Sequence, residues 1–355
     1  MYTESEINLI TLCSIEGLTY KNRFELLNGL ESSEPDFVKC EKILIKTLTG
    51  GVYNKVKDSF YSSVFREKVL KELENDGVEC VTYFSQNYPE PLKNIPCPPI
   101  TLFCKGNTKL LSERAFAAVG SRRTQPEVLK ALKTISEELS RHFTVVSGIA
   151  DGADTAVLEG AIESGKVISV LANGFDHVYP SVNAPLLKRL VKKGLVITEY
   201  TSKTKPEKFN FPVRNRIIAG LSEGVLIASA AEKSGALITA HYALEYDRRV
   251  FAIPYSINVK SGAGCNALIK EGATLCRNTL DILDDFGMEF KPSEKVTLSK
   301  EESELLSLIR ETGAAFVPDL AVKTGKKPYE IIPVLSKLEI KGFIVRLGGN
   351  RYSAV

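Results

Sequence analysis

The sequence contains no tryptophan, and only three histidines, His142, His177 and His241, set far apart. Its seven cysteines, at positions 13, 40, 80, 97, 104, 265 and 276, are odd in number and form no C-x-x-C pair. Isolated histidines leave little material for a metal site or a Ser-His-Asp triad, and scattered cysteines fit reduced, buried thiols rather than a disulfide framework or zinc. Neither a metal nor a cofactor is expected. An excess of one charge is also missing. Against 46 Lys+Arg stand 43 Asp+Glu, a net +3 over 355 residues, so any nucleic-acid partner must be held by locally gathered basic residues rather than by a global field. No apolar run approaches the length of a membrane span, and the start Met1-Tyr2-Thr3-Glu4-Ser5-Glu6 is acidic where a signal peptide would be basic. A cytoplasmic protein without membrane contact is the expectation. No G-x-G-x-x-G occurs, and the P-loop look-alike Gly160 to Lys166 is followed by Val167 instead of Ser or Thr and runs from helix to strand, the reverse of a P-loop.

What is present is ordinary globular material, 44% hydrophobic and 25% charged, of a length that suggests two or three domains. Residues 1–110 are expected to form an N-terminal helical domain of SAM-like, helix-hairpin type with its connection to the next. Ile7, Leu9, Ile10 and Leu12, and again Phe24, Leu26, Leu27 and Leu30, have helical spacing about a turn at Ser14-Ile15-Glu16-Gly17-Leu18. The prolines 89, 91, 96, 98 and 99 break any helix. From 111 to 290 short apolar runs alternate with amphipathic stretches, and the strand candidates are Ala115–Val119, Phe143–Val146, Val167–Leu171, Leu195–Thr198, Gly224–Ala228 and Val250–Ile253. This pattern predicts an α/β fold, a doubly wound parallel sheet covered on both faces. A polar linker at Lys291-Pro292-Ser293-Glu294-Lys295 leads to residues 297–355. There a capping box at Ser299 and Glu302, helices at 300–311, near 317–323 and from Pro328, and a hairpin about Gly348-Gly349-Asn350 outline a winged helix.

The unusual residues fall at strand ends. Gly120-Ser121-Arg122-Arg123, Ser147-Gly148, Asn173-Gly174, Glu199-Tyr200, Ser229 to Ser234-Gly235, and Pro254-Tyr255-Ser256 each follow a candidate strand. The carboxyl edge of a parallel sheet carries the ligand crevice, so the six clusters are expected to form one site for a phosphate-type anion. Singly, each cluster could equally be a tight turn. Asp151 and Asp154 could be a metal or general-base pair, but carboxylates in a first helical turn more often cap or complement the helix dipole. Between Lys203 and Arg216, the residues Lys203, Lys205, Lys208, Arg214 and Arg216 face the single negative charge of Glu207, with Phe209 and Phe211 interleaved. Basic side chains engage phosphates and aromatic faces accept stacked bases. Phe211, beside a proline and before Ile217-Ile218-Ala219, could also be a core anchor, whereas Arg214 and Arg216 are expected to touch ligand.

These motifs together resemble the DprA (Smf) family of DNA-processing proteins of bacterial transformation. The resemblance is carried by Tyr88-Pro89 with Pro98-Pro99, Val119-Gly120-Ser121-Arg122, Val146-Ser147-Gly148 with Gly152 and Asp154, and Val170-Leu171 through Gly174 to Tyr179-Pro180. It continues through Glu199-Tyr200, Phe211-Pro212-Val213-Arg214-Asn215-Arg216, Ser234-Gly235-Ala236-Leu237-Ile238-Thr239 and Gly264-Cys265-Asn266. It implies an extended Rossmann-like domain, a non-catalytic dimer that binds single-stranded DNA, and loading of the RecA recombinase. The site residues it implies, with those read from the strand ends, are Gly120, Ser121, Arg122, Arg123, Ser147, Gly148, Lys205, Lys208, Phe211, Arg214, Asn215, Arg216, Ser234, Gly235, Thr239 and Asn266. In the C-terminal unit Lys326, Lys327, Tyr329, Arg346 and Arg351 could meet duplex DNA or a protein. Four positions depart from the usual family pattern: Asp151, Leu158, Ser229 where a Glu is common, and Tyr255 where a Gly is common. Two other functions compete. A LOG-type nucleotide phosphoribohydrolase would need a Pro-Gly-Gly-x-Gly-Thr loop, and the corresponding stretch reads Ala231-Glu232-Lys233-Ser234-Gly235-Ala236-Leu237. A nucleotide sensor would use the same crevice for a small ligand.

Overall fold

Uninterrupted apolar runs become strands here because both faces of the sheet are covered, so no position along them needs to be polar. The computed structural model describes residues 2–15, 17–28, 50–289, 298–340, 343–347 and 351–354. Helices α1 (Glu4–Ser14), α2 (Tyr20–Asn28), α3 (Gly50–Tyr61) and α4 (Ser63–Asn75) lead into strand β1 (Glu79–Thr82), the single-turn helix α5 (Glu90–Lys93) and β2 (Thr101–Gly106). Then follow β3 (Ala115–Gly120), α6 (Pro126–Leu139), β4 (Thr144–Ser147), α7 (Ala153–Ala161), β5 (Val167–Val170), α8 (Ala184–Lys193), β6 (Leu195–Thr198) and α9 (Asn210–Leu221). The unit closes with β7 (Gly224–Ser229), α10 (Gly235–Glu245), β8 (Arg249–Ala252), α11 (Ala263–Lys270), β9 (Thr274–Leu275) and α12 (Thr279–Asp285).

The strands form one sheet in the order β1-β2-β6-β5-β4-β3-β7-β8-β9. From β6 to β9 every pairing is parallel, as the alternation of runs and amphipathic helices predicts. All six expected strands are present to within two residues. The antiparallel pair β1 and β2, joined to β6, was not expected. With it, the expected boundary near residue 110 is no break in packing: Val78, Cys80, Ile100 and Phe103 share a core with Leu9, Ile10, Leu26 and Leu27 of the N-terminal helices, and residues up to 290 form one compact unit. The proline-rich connection also allows one helical turn, since Pro91 sits at the start of α5, where no amide is needed. Leu30, Glu16 and Cys40 lie outside the described residues. Of the other cysteines, Cys97 is half-buried and the rest are buried, and burial raises their thiol pKa values, that of Cys80 to about 12.

The second unit is held by Leu305, Ile309, Leu320, Ile331, Leu335, Ile344 and Tyr352. Its helices are α13 (Lys300–Thr312), with the expected capping box of Ser299 and Glu302, α14 (Val317–Thr324) and α15 (Pro328–Ile340). Strands β11 (Ile344–Leu347) and β12 (Arg351–Ala354) pair antiparallel, and β12 also pairs with the unexpected β10 (Ala315–Phe316). The linker from 291 to 295 and the turn at 348–350 lie outside the described residues.

Candidate functional site

The sheet grows from β3 in two directions, through β4, β5 and β6 on one side and through β7, β8 and β9 on the other. Loops leaving two adjacent parallel strands at such a switch point diverge and open a crevice at their carboxyl ends. A cavity of about 440 Å³ lies there. Its walls are Val119 to Arg123 at the end of β3, Ala150 and Asp154 after β4, Ser234, Gly235, Ala236 and Thr239 at the start of α10, and Phe211, Arg214, Asn215 and Ile218 on α9.

The loop that carries Arg122 is held from three sides. The Ser121 amide donates to the Ser229 carbonyl at 3.0 Å and to Ser229 Oγ at 2.9 Å, so Ser229 anchors the loop. The Thr124 hydroxyl donates to the Ser121 carbonyl at 2.8 Å, and the Ala153 amide donates to the same oxygen at 3.2 Å. Gly152 completes the brace. It has φ of +83°, and a Cβ there would fall 2.5 Å from the Arg122 carbonyl oxygen. Arg122 and Arg123 therefore project, exposed, from a fixed backbone.

Behind them a buried pair sets the floor. Arg214 and Asp154 are each 5% exposed, and both reach toward Gly148, where a Cβ would lie 2.3 Å from Asp154 Oδ2 and 2.6 Å from Arg214 Nη1. The glycine is needed because no side chain fits between these charges. Arg214 Nη1 donates to the Val170 carbonyl and Nε to Asn215 Oδ1 at 3.1 Å, while Asn215 Nδ2 donates to the Gly235 carbonyl at 3.3 Å and ties α9 to α10. Asp154 accepts from the Ala150 amide at 3.2 Å. Burial raises the Asp154 pKa, opposed by Arg214 and backbone amides; burial lowers that of Arg214, opposed by Asp154. Three arginines, one buried carboxylate and the amides opening α10, where Ser234 Oγ accepts from the Ala236 amide at 3.3 Å, leave a net positive cleft suited to an anion.

The raised Asp154 pKa has a measurable consequence. Above its unfolded value near 3.8 the native state holds the proton more tightly than the unfolded chain, so this residue lowers stability as pH rises through that window, until both forms are ionised. In Asp154→Asn that contribution is absent. The variant-minus-wild-type difference from urea unfolding is expected to climb with pH from about 4 and then level off; a flat difference contradicts the assignment.

Of the sixteen expected strand-edge residues, the cavity gathers Gly120, Ser121, Arg122, Arg123, Phe211, Arg214, Asn215, Ser234, Gly235 and Thr239, with Gly148 beneath it. Five are elsewhere. Arg216 is 2% exposed and ion-paired with Glu199, with its guanidinium 4.8 Å from the Tyr20 ring centroid. Because 210–221 is helical, residues two apart point about 200° from each other, and Arg214 and Arg216 cannot meet one ligand. Ser147 is buried and donates to the Ala118 carbonyl at 2.7 Å. Asn266 accepts from the Tyr255 amide at 3.0 Å and donates to the Tyr255 carbonyl at 2.9 Å, a loop clamp after β8. Lys205 and Lys208 are exposed on the segment before α9 and do not line the cavity. The six clusters likewise do not form one site. Strands are spaced about 4.8 Å apart, so six strand ends spread over more than 20 Å, and only those of β3, β4 and β7 reach the cavity.

Asp151 is exposed, its carboxylate accepts from the Gly152 amide at 2.9 Å, and it does not line the cavity, while Leu158 is core. The Tyr255 hydroxyl donates to the Ala228 carbonyl at 2.8 Å. In the C-terminal unit Lys326 is ion-paired with Glu301 at 2.8 Å, Lys327 Nζ is 5.8 Å from the Tyr329 ring, Tyr329 and Arg346 are exposed, and Arg351 lies over Phe316 at 5.6 Å. Tyr179 is the neighbour of the site that sequence reasoning passed over. It stands within the Tyr179-Pro180 motif and packs edge-on to Phe211, with ring centroids 5.6 Å apart.

Residues 79–287 match the model of the DNA recombination-mediator protein A family, a span that begins at β1. The chain is 38% identical to DNA processing protein DprA of Bacillus subtilis over 231 residues, 64% of this chain and 77% of that protein. Its structure is similar to that of DprA from Streptococcus pneumoniae, with a TM-score of 0.71 and 34% identity over 80% of this chain and 99% of the other. It is also similar to DNA processing protein A of Helicobacter pylori, which has a unique single-stranded DNA binding mode, with a TM-score of 0.54 and 30% identity over 59% and 95%.

Proposed function

Because this chain belongs to the DNA recombination-mediator protein A (DprA/Smf) family, we propose that it binds single-stranded DNA at the switch-point cavity and works without catalysis, as a mediator that hands the strand to RecA. The observation that carries the reading is the cleft itself: Arg122, Arg123 and the opening of α10 converge on one cavity, roomy enough for a nucleotide, with Phe211 in its wall. Backbone phosphates enter the cavity. Lys205 and Lys208, on the approach to α9, would extend the contact along the strand by charge. The H. pylori relative's single-stranded DNA binding supports the choice of ligand. A homodimer, a cytoplasmic setting and a winged-helix role for residues 297–355, as a contact for duplex DNA or protein, complete the proposal. Among the described residues no helix is long and apolar enough to cross a membrane.

Fluorescence anisotropy with labelled oligo-dT tests the core of this reading. Affinity is expected to fall with log salt at a slope of about −0.7 per phosphate contact, and to exceed that for a duplex of equal length. Absence of salt-dependent binding to oligo-dT at physiological salt would refute it.

A further inference from the structure

The cavity accounts for a phosphate and leaves unexplained the aromatic edge beside it. Tyr179, in the loop after β5, is 40% exposed. Its ring meets that of Phe211 at 63°, and the Arg122 guanidinium lies 5.9 Å from the Tyr179 centroid and 5.8 Å from that of Phe211. Among the described residues no carboxylate lies within 4.0 Å of Arg122. One cation thus serves both rings at the mouth of an anion cavity. An inclined pair of rings presents two faces of different direction, and a planar cation beside them holds both in place. Phe211 and Arg122 line the cavity, and Tyr179, which does not, packs against both, so it lies one ring from the space a phosphate would take.

We propose that Tyr179 is a base-contacting residue: its ring stacks on an unpaired nucleobase of the strand whose phosphate occupies the cavity, with Arg122 bridging base and phosphate sites. The site then takes a nucleotide as base plus phosphate and discriminates against duplex, whose paired and stacked bases offer no free face. This rests on the single-stranded DNA reading.

The absence of tryptophan supplies the test. In Tyr179→Trp the new indole is the sole tryptophan, and oligo-dT is expected to quench its fluorescence while an abasic deoxyribose-phosphate strand of equal length and charge does not. In parallel, Tyr179→Ala is expected to weaken oligo-dT binding about tenfold and abasic-strand binding hardly at all, with Tyr179→Phe close to wild type. If Tyr179 merely braces the cavity wall at Phe211, Tyr179→Ala weakens both strands alike, and if Phe211 alone meets the base, neither strand quenches the Tyr179→Trp indole; either outcome, unchanged oligo-dT affinity, or equal quenching by both strands overturns the proposal. The parent reading fails separately, when wild-type protein does not bind oligo-dT.

Discussion

Arg122→Glu is expected to lower affinity for oligo-dT about a hundredfold and to reduce the salt slope by about 0.7, with stability lowered by no more than about 1 kcal/mol, the worth of its exposed contact with the Tyr179 and Phe211 rings. The side chain is exposed, so its loss leaves no void, and the loop that carries it is held by backbone contacts that a substitution does not touch. A unit charge about 4 Å from a phosphate is worth roughly 1 kcal/mol in water and about 4 kcal/mol at the effective dielectric of a partly buried site. Reversal doubles the change, and a hundredfold loss, about 2.7 kcal/mol, lies near the lower end of that range. Anisotropy titrations at several salt concentrations measure both quantities. Wild-type affinity in the variant would remove Arg122 from the site.

The second large effect separates the two arginines of α9. Arg216→Met is expected to destabilise the N-terminal unit by about 3–5 kcal/mol, because it strands the Glu199 carboxylate in the core. The pair already sits in a dry setting. Burial alone would lower the Arg216 pKa, and Glu199, with nearby tyrosine and cysteine groups, overrides it and raises it. Glu199 Oε1 and Arg216 Nε and Nη1 have no hydrogen-bond partner among the described residues, so the ion pair is what makes burial of either group tolerable. Nearby, Arg23 Nη1 donates to the Glu199 carbonyl at 3.3 Å and Nη2 to the Cys13 carbonyl at 3.0 Å, so the loss should loosen α1 and α2 as well. Replacing both partners, Arg216→Met with Glu199→Leu, is expected to restore most of the stability, since apolar groups of similar size need no compensating charge. The double variant should still bind oligo-dT like wild type. Urea unfolding and anisotropy on the same samples decide the matter, and loss of binding in a stable double variant would return Arg216 to the interface.

Much of the sheet was legible in the chain because a parallel, two-sided sheet needs continuous apolar runs such as Val225-Leu226-Ile227-Ala228, short, rich in β-branched residues and bounded by glycine and serine. β1 and β2 escaped notice for the converse reason. They lie at the antiparallel end of the sheet, on either side of the proline-rich connection, and their apolar residues are interrupted by Glu79, Thr82, Thr101 and Lys105. The start of α9 was hidden too. Phe209 at its N-cap makes no side-chain capping bond, so the sequence from Lys203 to Arg216 showed a basic run and not a helix boundary.

By itself, then, the sequence determined the six parallel strands with most of the helices between them, the carboxyl edge as the place of the candidate site, and the family, since these follow from local periodicity, turn chemistry and motif spacing. Which residues share the cavity was decided only by tertiary structure. Strand order is not written locally, and it was the crossover from β6 to β7 that put the ends of β3 and β7 side by side. Nor is helical phase written in composition: two like-charged residues two apart in one motif face opposite ways, Arg214 to the cavity and Arg216 to the ion pair with Glu199 in the core.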